Sequence, residues 1–146
     1  MVIMKALKDF IENNCPCLNQ YYEAIGVDYL GADPTSYSIE SVPVEPIVKQ
    51  YVDGSTLRQL DFVFASREAY GEEVRQNIES LGFYEAFAAW LEECSIKGIF
   101  PDLGENREVR SIKALTNGYP FNTSVHDAKY QVQCRIGYYQ KGKQND

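Results

Sequence analysis

The sequence lacks the common signatures of nucleotide-binding and hydrolytic sites. Its 146 residues contain no GxxxxGKS/T phosphate loop, no GxGxxG dinucleotide loop and no GxSxG nucleophile elbow. The single histidine, His126, precedes Asp127, and nothing in the sequence identifies a nucleophile for it. The sequence therefore predicts a protein that is not an enzyme, with no catalytic residues and no cofactor.

Long apolar runs and an excess of positive charge are also missing. No apolar stretch approaches the roughly 20 residues that span a bilayer, and residues 1–14 lack the apolar core of a signal peptide. Lys and Arg number 14 against 21 Asp and Glu, which gives a formal net charge of −7. Proteins that bind nucleic acid by neutralising phosphates usually present a basic surface. We expect no membrane binding and no specific nucleic-acid binding.

Cysteines are few, and their spacing does not suit a metal site. They are Cys15, Cys17, Cys94 and Cys134. A zinc site normally brings two closely spaced ligand pairs, and here only Cys15 and Cys17 are close in sequence. Cys94 falls on an apolar helical stripe and Cys134 on the apolar side of an alternating run. With no export signal, we expect free thiols and no metal.

Two segments have the apolar spacing of helices that pack on a core. Residues 2–13 form the first, which Pro16 should end. The second ends at Lys97-Gly98, where glycine can adopt a left-handed cap. Gly82 lies inside the second segment and either kinks one helix or separates two. The residues expected to face the core from this segment are Val74, Ile78, Leu81, Phe83, Phe87, Trp90, Leu91 and Cys94.

Strands are predicted on both sides of the long helical segment. Residues 27–30, 37–42 and 111–115 indicate short strands, and residues 101–110 a polar loop. The run 128–139 alternates most clearly, so we expect one buried and one wet face. Its apolar side carries Ala128, Tyr130, Val132, Cys134, Ile136 and Tyr138, and its polar side carries Lys129, Gln131, Gln133 and Arg135.

Strands grouped around two helices without βαβ alternation indicate α+β architecture. We predict a mostly antiparallel sheet with two helices packed on one face and a long protruding β-hairpin. Residues 1–140 are expected to form a single α+β domain, and residues 141–146 a disordered C-terminal tail.

The hairpin is predicted from residues 47–65, where Asp53-Gly54 separates two extended runs. Its base alternates as a core strand does, whereas its upper half is mostly polar. With about eight residues in each arm it would extend roughly 26 Å, which exceeds what its own core needs. We therefore predict that its tip contacts another subunit or a partner protein. The predicted contact residues are Lys49, Gln50, Asp53, Gly54, Arg58 and Gln59.

An alternative from another functional class is a small-molecule-binding or enzymatic domain. Its pocket would be lined by Phe62, Phe64, Phe83, Phe87 and Trp90. The same five residues also have the spacing of ordinary core residues. A deep pocket with convergent polar groups would favour this alternative, whereas an open structure with an exposed hairpin would favour assembly.

Four stretches resemble a family of small phage proteins, found in prophages of Gram-positive bacteria and usually labelled minor capsid protein. They are DYLGADPTSYSIE, YVDGSTLRQLDFVFASREAYG, SLGFYEAFAAWLEE and YQVQCRIGYYQ. The resemblance covers nearly the whole chain. The order of helix, strands, hairpin, helix and strands is also similar to that of tail-terminator (tail-completion) proteins of long-tailed phages.

These resemblances imply a role in virion assembly. Tail terminators form rings, commonly hexamers, that cap the tail tube and offer a surface to the head connector. The implied partners are therefore other copies of the chain and tail-tube or head-connector proteins, in the virion or in the bacterial cytoplasm during assembly. A head-completion or minor capsid component at the head–tail junction is the alternative in the same class. The resemblance supplies no catalytic residues.

Overall fold

The computed structural model describes residues 2–18, 25–31, 36–69, 74–123 and 127–142, which contain two helices and seven strands. The helices are α1 (Ile3–Asn14) and α2 (Val74–Lys97). The strands before α2 are β1 (Ile25–Val27), β2 (Ser36–Val42), β3 (Ile47–Gln50) and β4 (Thr56–Ala69). The strands after it are β5 (Arg107–Ala114), β6 (Tyr119–Thr123) and β7 (Asp127–Gln140).

The strands form one sheet built around β4 and β7. These two strands pair antiparallel along their whole lengths, from Thr56 opposite Gln140 to Ala69 opposite Asp127. The order across the sheet is β1-β2-β4-β7-β5, with β3 added to β4 and β6 added to β7. β1 pairs parallel with β2, and the other pairs are antiparallel. The prediction of an α+β fold with a mostly antiparallel sheet is confirmed.

Both helices pack on the same face of this sheet. Alternation sends Phe62, Phe64 and their cross-strand neighbours toward the helices. The Phe64 ring lies 4.4 Å from that of Phe87 in α2, and Phe10 of α1 stacks on Trp90 of α2 at 5.5 Å. The β7 side chains predicted on the apolar side are all buried: Ala128, Tyr130, Val132, Cys134, Ile136 and Tyr138.

The structure corrects several features of the long helix. α2 continues through Gly82 as one helix, which rules out the alternative that this glycine separates two helices. Ile78 and Leu81 were expected in the core but are 62% and 40% exposed, since they lie on the side away from the sheet. The side chain of Val74 lies outside the described residues. Gly98, with φ of 72°, supplies the predicted left-handed cap.

The other face of the sheet is polar but only partly exposed to solvent. Arg135 donates two hydrogen bonds to the Asp61 carboxylate, at 2.7 and 3.0 Å, and Lys129 bonds Glu40 at 2.7 Å. Beneath these side chains Ala65 is completely buried, and Gln131 is only 7% exposed. The predicted alternation of β7 is therefore correct, but ion pairs from β7 to β4 and across β4 to β2 cover much of the face that was expected to be solvated.

Strand boundaries also differ from the predictions. β1 lies at Ile25–Val27 rather than at residues 27–30. The segment 101–110 was predicted as a loop, but β5 already begins at Arg107, because β7 extends far enough to supply a pairing partner. At the chain end, Lys141 N–H donates to the Asn106 carbonyl at 2.8 Å and Gly142 N–H to the Ser55 hydroxyl at 3.3 Å. The rest of the predicted tail, 143–146, lies outside the described residues.

Candidate interface at the hairpin end of the sheet

The β3–β4 hairpin does not protrude as the sequence predicted. β3 has only four residues, paired from Ile47 opposite Arg58 to Gln50 opposite Thr56. The other side of the same β4 segment pairs with β7, which is joined in turn by β5. Backbone groups of β4 in this region are therefore bonded within the sheet, and the hairpin is the corner of a four-stranded end. We call β3, the turn Tyr51–Ser55 and the adjoining ends of β4, β5 and β7 the hairpin end.

Local hydrogen bonds hold the turn in one conformation. Tyr51 N–H donates to the Ser55 carbonyl at 2.9 Å, and Gly54 N–H donates to the Tyr51 carbonyl at 3.0 Å. Gly54 has φ of 89°, which glycine adopts without steric cost. Ser55 N–H donates to the Asp53 carboxylate at 2.9 Å and thereby lowers the pKa of that carboxyl group. The predicted tight turn at Asp53-Gly54 is therefore confirmed, and Gly54 has the positive φ that the prediction assigned to it.

Buried Ser55 ties this turn to β7. Its side chain is 1% exposed, and its Oγ accepts a hydrogen bond from the Tyr139 hydroxyl at 2.7 Å. The Tyr139 ring lies 6.3 Å from that of Tyr51. Lys49 and Arg110 place their cationic groups 5.2 and 5.4 Å from the Tyr51 and Tyr139 ring centroids. Such cation–ring contacts order both partners, so the turn is presented on a supported surface.

The outer surface of the hairpin end exposes three apolar side chains. Val48 is 56% exposed, Tyr51 is 40% exposed, and Val52, at the tip of the turn, is 109% exposed. Val48 is the extra residue of a bulge between Ile47 and Lys49, which turns it out of the ladder. Single exposed apolar residues are ordinary on protein surfaces, but three within five positions form a patch of the kind found at contact sites.

The predicted contact residues separate into two groups. Lys49, Gln50, Asp53 and Gly54 are exposed at or beside the turn. Arg58 and Gln59 are half-buried along β4: Arg58 Nε donates to the Thr56 hydroxyl, and Gln59 Nε2 to the Glu45 carbonyl, each at 2.9 Å. The structure therefore brings the first four together as an accessible set. Whether any of the six contacts a partner stays a prediction.

Val48, Tyr51 and Val52 were missed because the upper hairpin was interpreted as polar. A signal was present in the sequence. Val52 immediately precedes Asp53-Gly54, and a β-branched residue has no steric reason to occupy a turn tip. Apolar residues without a core to face are the ones to examine for binding, and here they lie beside the predicted polar residues.

A second accessible feature is an open groove of about 720 Å³ between α2 and the edge strand β5. Ala88, Ala89 and Ile96 line its helical wall together with Glu85 and Glu92, and Lys113 and Ala114 line its strand wall. Ile96 is 79% exposed. Ser95 lies between the walls, where its hydroxyl donates to the Ile112 carbonyl at 2.6 Å and accepts from the Ile112 N–H at 3.0 Å.

The five aromatic residues that would line a pocket in the small-molecule-binding or enzymatic alternative pack together in the hydrophobic core instead. Phe62, Phe64 and Phe87 are completely buried. Phe83 lies 6.2 Å from Phe64 and 5.0 Å from Tyr84, and Trp90 lies 5.9 Å from Phe87. Because these rings contact one another, they fill the volume that a ligand would need.

The remaining candidate functional groups are the four cysteines, and they do not come together as a set of metal ligands. Cys94 and Cys134 are buried, and burial raises the pKa of the Cys134 thiol. Cys15 and Cys17 are half-buried, with their sulfur atoms 3.1 Å apart. Within the described ranges, no three His, Cys, Asp or Glu side chains are arranged to hold a metal ion. His126 lies outside those ranges.

Comparisons with known proteins add no assignment. A scan against protein-family models finds no match, and a search of curated proteins finds none either. In the part of the chain that the structure describes, neither helix is long and apolar enough to cross a bilayer.

Proposed function

We propose that the chain is a phage structural protein that completes the tail by forming a homo-oligomeric ring at the head-proximal end of the tail tube. Two lines of support meet in this proposal. The sequence resembles prophage minor capsid proteins and has the element order of tail terminators. The fold presents a supported hairpin end whose apolar residues have no core to face. Six subunits is the number that the resemblance implies.

The observation that carries the proposal is the exposed patch of Val48, Tyr51 and Val52 on an ordered corner of the sheet. Val52 buries no apolar area within its own subunit, because its side chain is fully exposed. Burying such a side chain against a partner removes apolar area from water at about 25 cal/mol per Å². Since the tip is already held by Asp53, Ser55 and Tyr139, binding would lose little conformational entropy.

Electron microscopy of particles from a lysogen that lacks the gene tests this function. Without a terminator, tail tubes would continue to grow, so the expected products are overlong, headless tails beside filled heads. Heads that lose their DNA beside tails of normal length would indicate a head-completion component instead. Normal particles would rule out an essential role in assembly.

Complementation distinguishes the hairpin end from the rest of the surface. The wild-type gene should restore normal particles, whereas a gene carrying Val52→Asp should not. The matched control is Tyr29→Asp, because Tyr29 is 72% exposed and lies beside β1, which pairs with β2 and not with any strand of the hairpin end. Equal rescue by both variants would show that the hairpin end is not the surface used in assembly.

A further inference from the structure

The groove between α2 and β5 and the turn of the hairpin end are complementary in shape and charge. Both walls of the groove carry apolar residues, Ala88, Ala89 and Ile96 on the helical side and Ala114 on the strand side. The turn presents Val52 as a fully exposed apolar projection. One feature is concave and the other convex, and both lack an apolar partner within the described fold.

The charges beside these apolar groups have opposite signs. Exposed Lys49 lies next to the turn, and exposed Glu85 and Glu92 line the helical wall of the groove. Lys113 also lines the strand wall, but it lies directly across from Arg135 on β7, so its side chain is on the sheet face opposite α2 and adds no positive charge to the groove. A turn inserted between the two walls would therefore find carboxylates for the Lys49 ammonium group.

The edge of β5 favours a compact occupant over an added strand. An edge strand normally offers its outward N–H and C=O groups to another strand. Here the Ser95 hydroxyl already bonds both of these groups on Ile112, in the middle of the groove. A peptide pairing continuously along β5 would have to break both bonds. A turn that inserts one side chain would leave them intact.

The occupant must come from another molecule. Across the hairpin end the strand order is β3, β4, β7 and β5, so two strands separate the turn from the groove strand. At about 4.8 Å per strand spacing, β3 and β5 are roughly 14 Å apart, and the turn points away from the sheet interior. Contact between two different patches is heterologous, and it generates a ring when the rotation between subunits closes.

We propose that the turn Tyr51–Ser55 of one copy of this chain inserts Val52 into the α2–β5 groove of a second copy. Lys49 lies against the helical wall of that copy, where Glu85 and Glu92 are exposed. This contact rests on the proposed ring and specifies which surfaces build it.

Disulfide trapping between two differently tagged populations tests the contact directly. One population carries Val52→Cys and the other Ala89→Cys, both in a Cys15→Ser, Cys17→Ser background, so that Cys94 and Cys134, both buried, are the remaining native thiols. Mild oxidation of the mixture should give a heterodimer, and mass spectrometry should find residues 52 and 89 in the linked peptides. Ile96→Cys provides a second groove position with an independent geometry.

The matched control replaces Val52→Cys by Tyr29→Cys, which is similarly exposed but lies beside β1. A yield with Val52→Cys no greater than with this control, at both groove positions, overturns the proposed contact. Charge reversal supplies a further check. Lys49→Glu should lower the yield by up to roughly fivefold, the scale of one exposed ion pair, and Glu92→Lys in the partner population should restore it. Failure of the paired reversal to restore the yield would overturn the assigned charge contacts.

This experiment separates the contact from the tail function. A trapped 52–89 link together with normal tails in the gene-deletion strain would keep the contact and reject the tail role. Overlong tails without the link would keep the tail role and reject this contact.

Discussion

The same two strands, β4 and β7, are stabilised differently in the helix-covered middle of the sheet and at the hairpin end. In the middle, Phe64 and Val132 pair across the strands beneath α2 and are completely buried. At the hairpin end, Leu57 pairs with Tyr139, and cations and tyrosines replace the helical cover. The first region derives its stability from area removed from water, whereas the second uses hydrogen bonds and ring contacts to hold a shape and leaves apolar surface exposed.

The largest expected effect is on the helix-covered side. Phe87→Ala should lower the free energy of unfolding by about 3–5 kcal/mol, because it leaves a cavity against Phe64 in the core. Denaturant titration followed by circular dichroism measures it. The matched control is Phe121→Ala, since Phe121 is 57% exposed and should cost far less. Similar losses for both variants would contradict the assignment of the core to the helix-covered side.

A smaller loss is expected for Tyr84→Phe in the same region. The Tyr84 hydroxyl donates to the Tyr130 carbonyl at 2.9 Å and lies 2.6 Å from the hydroxyl of buried Ser66. Removing it deletes two hydrogen bonds from a buried polar network, at a cost of roughly 1–3 kcal/mol. Thermal unfolding of the two proteins at neutral pH measures this difference. An unchanged unfolding temperature would contradict the buried network.

The same residue predicts a pH dependence. Burial raises the pKa of Tyr84 well above 10, so the folded state keeps a proton that the unfolded state releases. This contribution to stability is complete below pH 10 and is lost as pH rises from about 10 toward the folded pKa. Since Tyr84→Phe lacks the group, its deficit relative to the wild type should shrink between about pH 8 and about pH 11. A deficit that stays constant across this range would show that the hydroxyl titrates normally.

At the hairpin end, loss of a single hydrogen bond should have a modest effect. Tyr139→Phe removes the bond to Ser55, at 2.7 Å, and should cost about 0.5–1.5 kcal/mol. Denaturant midpoints measure it, with Tyr29→Phe as the control because the Tyr29 ring is mostly exposed. A loss as large as that of Phe87→Ala would mean that the hairpin end is part of the main core.

The smallest effect on folding belongs to the residue with the largest expected effect on assembly. Val52→Ser should change the free energy of unfolding by no more than about 0.5 kcal/mol, because the side chain contacts solvent. Calorimetry measures this change, and the trapping experiment and complementation measure assembly. A marked loss of folding stability would show that Val52 supports the turn rather than a partner contact.

Alternation and helical spacing were sufficient to predict much of the fold. The buried side of β7, the helix at residues 2–13 and the cap at Gly98 follow from local periodicity and from the backbone freedom of glycine. Ile78 was misplaced because spacing alone does not tell which of two apolar stripes meets the sheet. The hairpin was predicted to protrude because residues such as Lys49 and Arg58 are polar. Side-chain polarity does not show whether another strand pairs with the same segment.

The sequence by itself determined the α+β class, the Asp53-Gly54 turn and the core-facing residues Phe62 and Phe64, since all depend on neighbours within a few positions along the chain. Only the tertiary structure decided that β7 pairs with β4 up to the turn, that Ser95 bonds the edge at Ile112, and that Val52 remains exposed. These features depend on contacts between residues distant in sequence. No local pattern encodes the distance between two such residues.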